Sequence, residues 1–390
     1  MNSSEHVVIV GGGPAGLATA RAYRENGGQA RVSLLTAESY PPYNRPPLTK
    51  EFLRGDATRE DLPIEDEAWY GENGVHLRLV SRVAGLDRER HTVTTDEGEE
   101  IPYDACVLAT GSEPIRLPVP GADDPEILTM RTLENSTRLQ GRVGKGHKTV
   151  VVGSGFIGCE AAASLSLRGA EVVLISLEQS PQDERLGDKA GDRIEGWLRD
   201  YAVELRLGAR IEGLERKEAG YTVGLEGGDT VDAQTVLFGT GVAPRTRLAE
   251  EAGLEVDGGV VTDSSMRTSA PGIFAVGDIA RAYNESAGRH LKVEHWGDAL
   301  EHGRIAGSVL AGSEEVWSMA PGFWSTIGDK TLKYWAWGDG WDDQIFEDKG
   351  EAFTVWYGKE GTLVGVLSHG TDEDYEEGRG RIERGEPFPR

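Results

Sequence analysis

An α/β fold, made of two copies of one strand–turn–helix unit followed by a small α+β domain, is what this 390-residue sequence predicts. Three observations carry the prediction. Gly11, Gly13 and Gly16 follow the apolar run Val7 to Val10, and Gly153, Gly155 and Gly158 follow Val150 to Val152, each triplet leading into an alanine-rich helical stretch. A short apolar strand ending in Thr-Gly recurs once per triplet, at Ala105 to Gly111 and at Thr235 to Gly241, which reads as an internal duplication. Toward the C-terminus the rhythm changes: Trp317, Trp324, Trp335, Trp337, Trp341 and Trp356 cluster there, and Thr331 to Trp337, Ala352 to Tyr357 and Thr362 to Leu367 read as a small antiparallel sheet.

Each glycine of a triplet has a job. The first permits a tight turn, the second lets backbone N–H groups approach a pyrophosphate, and the third lets the helix pack on its strand with its N-terminus facing the anion. One copy is weak evidence, because glycine turns are common in α/β proteins. Two copies, each in the strand-to-helix context the motif needs, predict a chain that holds two dinucleotides.

The remaining elements follow in order. Arg31 to Leu35 reads as the second strand, Tyr40 to Pro47 as a rigid proline-rich loop, and a short helix is expected from Leu48. Gly272 to Asp278 gives a further strand with an acid where strand becomes helix, and the carboxyl ends of parallel strands are where such sheets bind ligands. From Thr371 the chain is charged and glycine-containing, so a loosely ordered polar tail is expected.

Composition excludes several partners. The chain has 66 acidic and 41 basic residues, a formal charge of −25, which disfavours nucleic acid and anionic membranes. No run is apolar enough to span a bilayer and no signal peptide is visible, so a cytoplasmic protein is expected, monomeric or homodimeric. Cys106 and Cys159 form no CxxC and no metal-ligand spacing; both read as buried thiols, and no metal site is expected.

The motifs Gly11-Gly12-Gly13-Pro14-Ala15-Gly16, Tyr43 to Lys50, Ala109-Thr110-Gly111-Ser112, Gly153 to Glu160, Ala275-Val276-Gly277-Asp278 and Val293-Glu294-His295-Trp296 together resemble the FAD-dependent pyridine nucleotide oxidoreductases, in their ferredoxin, rubredoxin and putidaredoxin reductase branch. The resemblance implies two nested Rossmann-like domains in the glutathione-reductase manner. An FAD domain would comprise residues 1–112 and 243–312, an NAD(P)H domain residues 113–242, and a C-terminal domain residues 313–390. It also implies FAD on the first glycine triplet and NADH, with NADPH as the alternative, on the second.

Site residues follow from the same resemblance. Lys50 would place a cation near the flavin, paired with Glu160, and these two are the catalytic candidates. Gly11, Gly13, Pro14, Ala15, Gly16, Arg45, Val83, Ala109, Thr110, Gly111, Arg131, Gly277 and Asp278 would contact FAD, while Gly153, Gly155, Phe156, Ile157 and Gly241 would contact the nicotinamide nucleotide. Arg116 is a further phosphate candidate. Glu294, His295 and Trp296 open a helix whose N-terminus would offset charge on the flavin pyrimidine ring; hydride transfer asks no proton of His295. The acid usually ending the second strand is replaced by Thr36 and Ser176, so Glu38 and Glu178, two residues on, are the ribose candidates, Glu178 favouring NADH and Arg185 able to serve the 2′-phosphate of NADPH.

The loop from Pro41 to Lys50 carries no cysteine, which excludes a dithiol relay there and favours delivery of single electrons to a [2Fe–2S] ferredoxin or rubredoxin-type protein. Such partners are usually acidic, so a basic docking patch from Arg304, Lys330 and Lys333 is expected. Trp296 and Trp324 could wall the flavin, or serve only as core. Two alternatives stand beside this reading: an NAD(P)H oxidase or quinone-like reductase without a protein partner, and a signalling flavoprotein like the apoptosis-inducing relatives.

Overall fold

The computed structural model describes residues 4–389. Two five-stranded parallel sheets share one plan. In the first, Val75–Arg78, Arg31–Leu35, His6–Val10, Ala105–Leu108 and Ile273–Ala275 lie side by side in that order. In the second the order is Glu204–Arg206, Glu171–Ile175, Lys148–Val152, Thr235–Phe238 and Leu128–Thr129. The strand before each glycine triplet is central in its sheet, and all five residues of His6–Val10 are buried, as expected for strands covered on both faces. A three-stranded antiparallel meander accompanies each sheet, Val83–Asp87 through Glu100–Pro102 in one and Ile211–Lys217 through Thr230–Ala233 in the other. Ser112–Pro114 pairs with Val242–Pro244 as a two-stranded ribbon, so the chain leaves the first unit and returns to it along one seam.

Each triplet turns into a helix, Pro14–Glu25 and Phe156–Leu167. Gly11 has φ +126°, and a Cβ there would meet the Ala109 carbonyl oxygen, so glycine is required at that point. The helix Trp296–Leu310 packs closely on Pro14–Glu25, since Gly303 and Gly307 leave no atom between it and the Ala15 and Thr19 backbones.

The C-terminal sheet has five antiparallel strands: Gly322–Ile327, Lys330–Ala336, Thr362–His369, Ala352–Lys359 and Asp343–Lys349. Two of them, Gly322–Ile327 and the edge strand Asp343–Lys349, are additional to the three read from sequence. The expected loose tail is instead the helix Asp372–Glu383, with Gly378 and Ile382 buried. Its close seat depends on Gly378, where a Cβ would stand 2.6 Å from Val366 Cγ1, and Arg379 and Arg381 each lie 5.0 Å from the ring centre of Trp335 and Trp356. Among the described residues no helix is long and apolar enough to cross a membrane.

Two local readings are corrected. After Tyr43 the chain forms a 3₁₀ turn, Pro46–Thr49, and then one short α-turn, Glu51–Arg54, because two prolines fix the first turn. Asp278 does not begin a long helix; it sits in the 3₁₀ turn Gly277–Ile279, after which the chain returns to strand at Ala280–Asn284.

Candidate active site at the junction of the two glycine turns

One cavity of about 860 Å³ reaches both glycine turns. Gly11, Gly13, Pro14 and Ala15 line one arm, with Glu38, Arg45, Val83, Ala109, Thr110, Gly111, Arg131, Gly277 and Asp278 around it. Gly155, Phe156, Ile157, Glu178, Arg185 and Gly241 line the other, and Lys50, Glu160, Glu294, His295 and Trp296 border the same space. Gly16 and Gly153 do not line it. A Cβ on Gly16 would collide with the Gly11 carbonyl oxygen, and one on Gly153 would lie 2.5 Å from the Gly239 oxygen; both shape their turns from within. Arg116 is also displaced from the cavity, because its guanidinium donates to the carbonyls of Ala122, Asp124 and Ile127 and so braces a loop.

The joint between the arms is a buried ion pair. Lys50 is 6% exposed and Glu160 4%, and Lys50 Nζ lies 3.1 Å from Glu160 Oε2. A pair so placed is tolerable only if the remaining carboxylate lone pairs are used. They are: the Thr49 hydroxyl also donates to Oε2, while the Ser325 hydroxyl and the Thr326 N–H donate to Oε1 at 2.8 and 3.1 Å. Proline-loop turn, second-triplet helix and C-terminal sheet thus meet on one carboxylate, which leaves Lys50 presenting a fixed positive charge to the cavity.

Farther along the first arm the polar groups form a chain. Glu38 accepts from the Tyr43 hydroxyl at 2.6 Å and from Arg45 at 2.8 Å, Arg45 donates to the Arg131 carbonyl at 2.7 Å, and Arg131 pairs with Asp278 at 2.7 Å. Burial pushes the Tyr43 phenol well above its ordinary range, so it remains a donor. In the second arm Glu178 Oε2 accepts from the Ser154 hydroxyl and the Gln182 N–H, which fixes the carboxylate after the strand Glu171–Ile175. Gln182 adopts φ +65°, and its buried Nε2 has no partner among the described residues. Arg185 stands over the Phe156 ring at 5.8 Å.

The helix Trp296–Leu310 presents its N-terminal end to the cavity through His295 and Trp296. Burial drives the His295 imidazole down to about 4, with the Arg185 charge adding to the effect, so it is a neutral ring packed on Phe323 at 4.6 Å. Trp296 and Trp324 both border the cavity, and Trp324 is 46% exposed. Trp317 is fully buried, and Trp335 stacks on Tyr375, as core. Cys106 and Cys159 are buried free thiols, pushed by burial to about 12 for Cys106 and upward for Cys159. Among the described residues no group of His, Cys, Asp and Glu is arranged to hold a metal ion.

The three cations expected to form a basic docking patch are each paired with a carboxylate. Arg304 pairs with Glu301 and Glu315, Lys330 with Asp329 and Lys333 with Asp372, so each cation is neutralised by a neighbour. Sequence reasoning missed Thr49, Ser325, Thr326, Tyr43 and Gln182. Only the proline-rich motif, which contains Tyr43 and Thr49, could have flagged any of them.

Residues 5–303 match the family described as pyridine nucleotide-disulphide oxidoreductase. Over 328 residues the chain is 31% identical to the rubredoxin-NAD(+) reductase of Pseudomonas putida, covering 84% of this chain and 85% of that protein. It is 32% identical over 348 residues to the putidaredoxin reductase of the same organism, covering 88% and 82%. Among solved structures, the covalent putidaredoxin reductase–putidaredoxin complex superposes with TM-score 0.93 at 30% identity, covering 99% of this chain and 94% of that one. The chain belongs to the pyridine nucleotide-disulphide oxidoreductase family, in the branch that holds the rubredoxin and putidaredoxin reductases.

Proposed function

We propose that this chain is an FAD-dependent NADH reductase that passes single electrons to a ferredoxin-type iron–sulfur protein. The buried Lys50–Glu160 pair at the meeting point of two glycine-turn arms is the observation that carries the reading. When bound, FAD supplies the conversion of a hydride's electron pair into electrons delivered one at a time. The first arm, with residues 1–112 and 243–312, would hold FAD, and residues 113–242 would hold the nucleotide.

The residues present fit such a group. Gly11 and Gly13 shape the turn along the cavity wall, with the Gly11 N–H held by the Leu35 carbonyl at 2.8 Å, and the chain Glu38–Arg45–Arg131–Asp278 offers polar atoms along its length. Lys50 offers fixed positive charge where negative charge develops, already oriented by Glu160, so no reorganisation accompanies the reaction. The N-terminus of Trp296–Leu310 adds partial positive charge from a second direction. Glu178, held by Ser154 and Gln182, would accept from a ribose 2′-hydroxyl and repel a 2′-phosphate, which supports NADH. Both thiols lie in the hydrophobic core, which gives the site no dithiol to relay electrons.

The test is cytochrome c reduction by the FAD-loaded protein, driven by NADH or by NADPH, with and without a [2Fe–2S] ferredoxin. A rate that depends on ferredoxin and is faster with NADH is expected. Equal rates without ferredoxin, or rapid NADH oxidation by oxygen or a quinone alone, would overturn the protein-acceptor reading.

A further inference from the structure

Asp298 lies in the first turn of the helix Trp296–Leu310 and is 2% exposed. A carboxylate this far from water needs a cation or several donors, since an isolated buried charge is very costly. The Gly322 backbone N–H lies near enough to favour the charged form, and the Asp298 Oδ2 meets no partner among the described residues.

Its cover is layered. The Trp335 ring occupies the place a side chain at Gly322 would need. Trp335 in turn stacks on Tyr375 at 5.1 Å, with Arg379 5.0 Å from its ring centre. The C-terminal helix thereby shuts water away from the first turn of Trp296–Leu310.

The charges facing Asp298 do not rescue an ionised form. Glu301 on the same helix and Asp278 on the 3₁₀ turn add negative charge, and Arg379 of the C-terminal helix supplies positive charge. Arg379 is already paired with Glu383 at 2.9 Å, and Asp278 with Arg131. Tyr375 is a neutral phenol raised by burial. His302, one turn along, has neither ring nitrogen partnered, and burial lowers it to about 4. The helix Pro14–Glu25 offers only Ala15 and Ala18 at its contact with Gly303. Burial accordingly raises the Asp298 carboxyl to about 8.

The same turn borders the cavity, through His295, Trp296 and Ala299. We propose that Asp298, a buried carboxyl with one oxygen unpartnered in the turn that borders the cavity, is a positioning residue whose proton is linked to the charge of the flavin the cavity holds. The inference rests on the reading that this cavity holds FAD. Flavin reduction adds two electrons and one proton, leaving one net negative charge in the cavity. That charge disfavours a second one on Asp298. Where Asp298 is ionised in the oxidised protein, reduction therefore draws a second proton from solvent onto its Oδ2, so that two protons accompany the two electrons. Where Asp298 is already neutral, one proton suffices, and the positive end of the helix dipole faces the flavin uncancelled.

The experiment equilibrates the FAD-loaded protein with a redox dye from about pH 6 to about pH 9.5, a range that brackets a carboxyl raised this far. The equilibrium constant for flavin reduction should fall about tenfold per pH unit in the lower part of the range and about hundredfold per unit in the upper part. Asp298→Asn keeps the shape of the side chain yet cannot ionise, and should fall about tenfold per unit throughout. A single slope in the wild type, or an unchanged break in the variant, overturns the inference. Should the variant not fold, the reduced-minus-oxidised infrared difference of the wild type near the top of the range decides: gain of a protonated-carboxyl band supports the proposal and its absence overturns it. A chain that retains no flavin overturns the functional reading instead.

Discussion

Lys50 shows how one residue is made useful by groups it does not touch. Its charge is fixed because Glu160 is fixed, and Glu160 is fixed by Thr49, Ser325 and Thr326. Replacing Lys50 with alanine leaves that carboxylate buried with hydroxyl and amide donors but no cation, which should cost about 3 kcal/mol of stability. FAD binding should persist, because Lys50 is one contact among many along the cavity. The flavin reduction step should slow about a hundredfold, the scale expected when a preorganised charge is removed. Stopped-flow bleaching of the flavin by NADH measures the step, and an unchanged rate would remove Lys50 from the site. Lys50 and Glu160 were legible in sequence because each sits in a motif. Ser325 and Thr326 were not, since their contact with Glu160 spans more of the chain than any local spacing can signal.

Among the elements, the C-terminal helix was the hardest to read. Its apolar stripe is narrow, with Tyr375, Gly378 and Ile382 amid acids and arginines, and Gly378 reads in sequence as a helix breaker. In the structure that glycine is what lets the helix seat on the sheet. The glycine-turn units were legible for the opposite reason, because strand, turn and helix are consecutive and each has its own signal. Gly378→Leu should lower stability by about 2 kcal/mol through overpacking against Val366 and Trp356. Chemical denaturation measures this, and a variant as stable as the wild type would show that the helix does not need close contact. Lifting the helix should also wet the Trp335–Tyr375 stack, so Trp fluorescence should shift to the red in the folded variant.

At the scale of the whole molecule, a formal charge of −25 confronts a partner class that is itself usually acidic. The three cations nominated for docking are each matched by a carboxylate, so those three offset little of the global charge. Repulsion between two acidic proteins reaches about 30 Å at 0.01 M salt and about 8 Å at 0.15 M. Encounter should therefore quicken with salt, the reverse of the steering seen between oppositely charged partners. With an acidic [2Fe–2S] ferredoxin as acceptor, kcat/KM should rise several-fold across that range, while the NADH half-reaction, measured by flavin bleaching, changes little. A fall in kcat/KM over the same range would mean that attraction prevails at the docking face, and that a cation among the paired ones gives up its carboxylate to the partner. A basic acceptor should behave in the opposite way, losing rate as salt is added, and comparing two acceptors of opposite charge at each ionic strength separates charge steering from any direct effect of salt on the reductase.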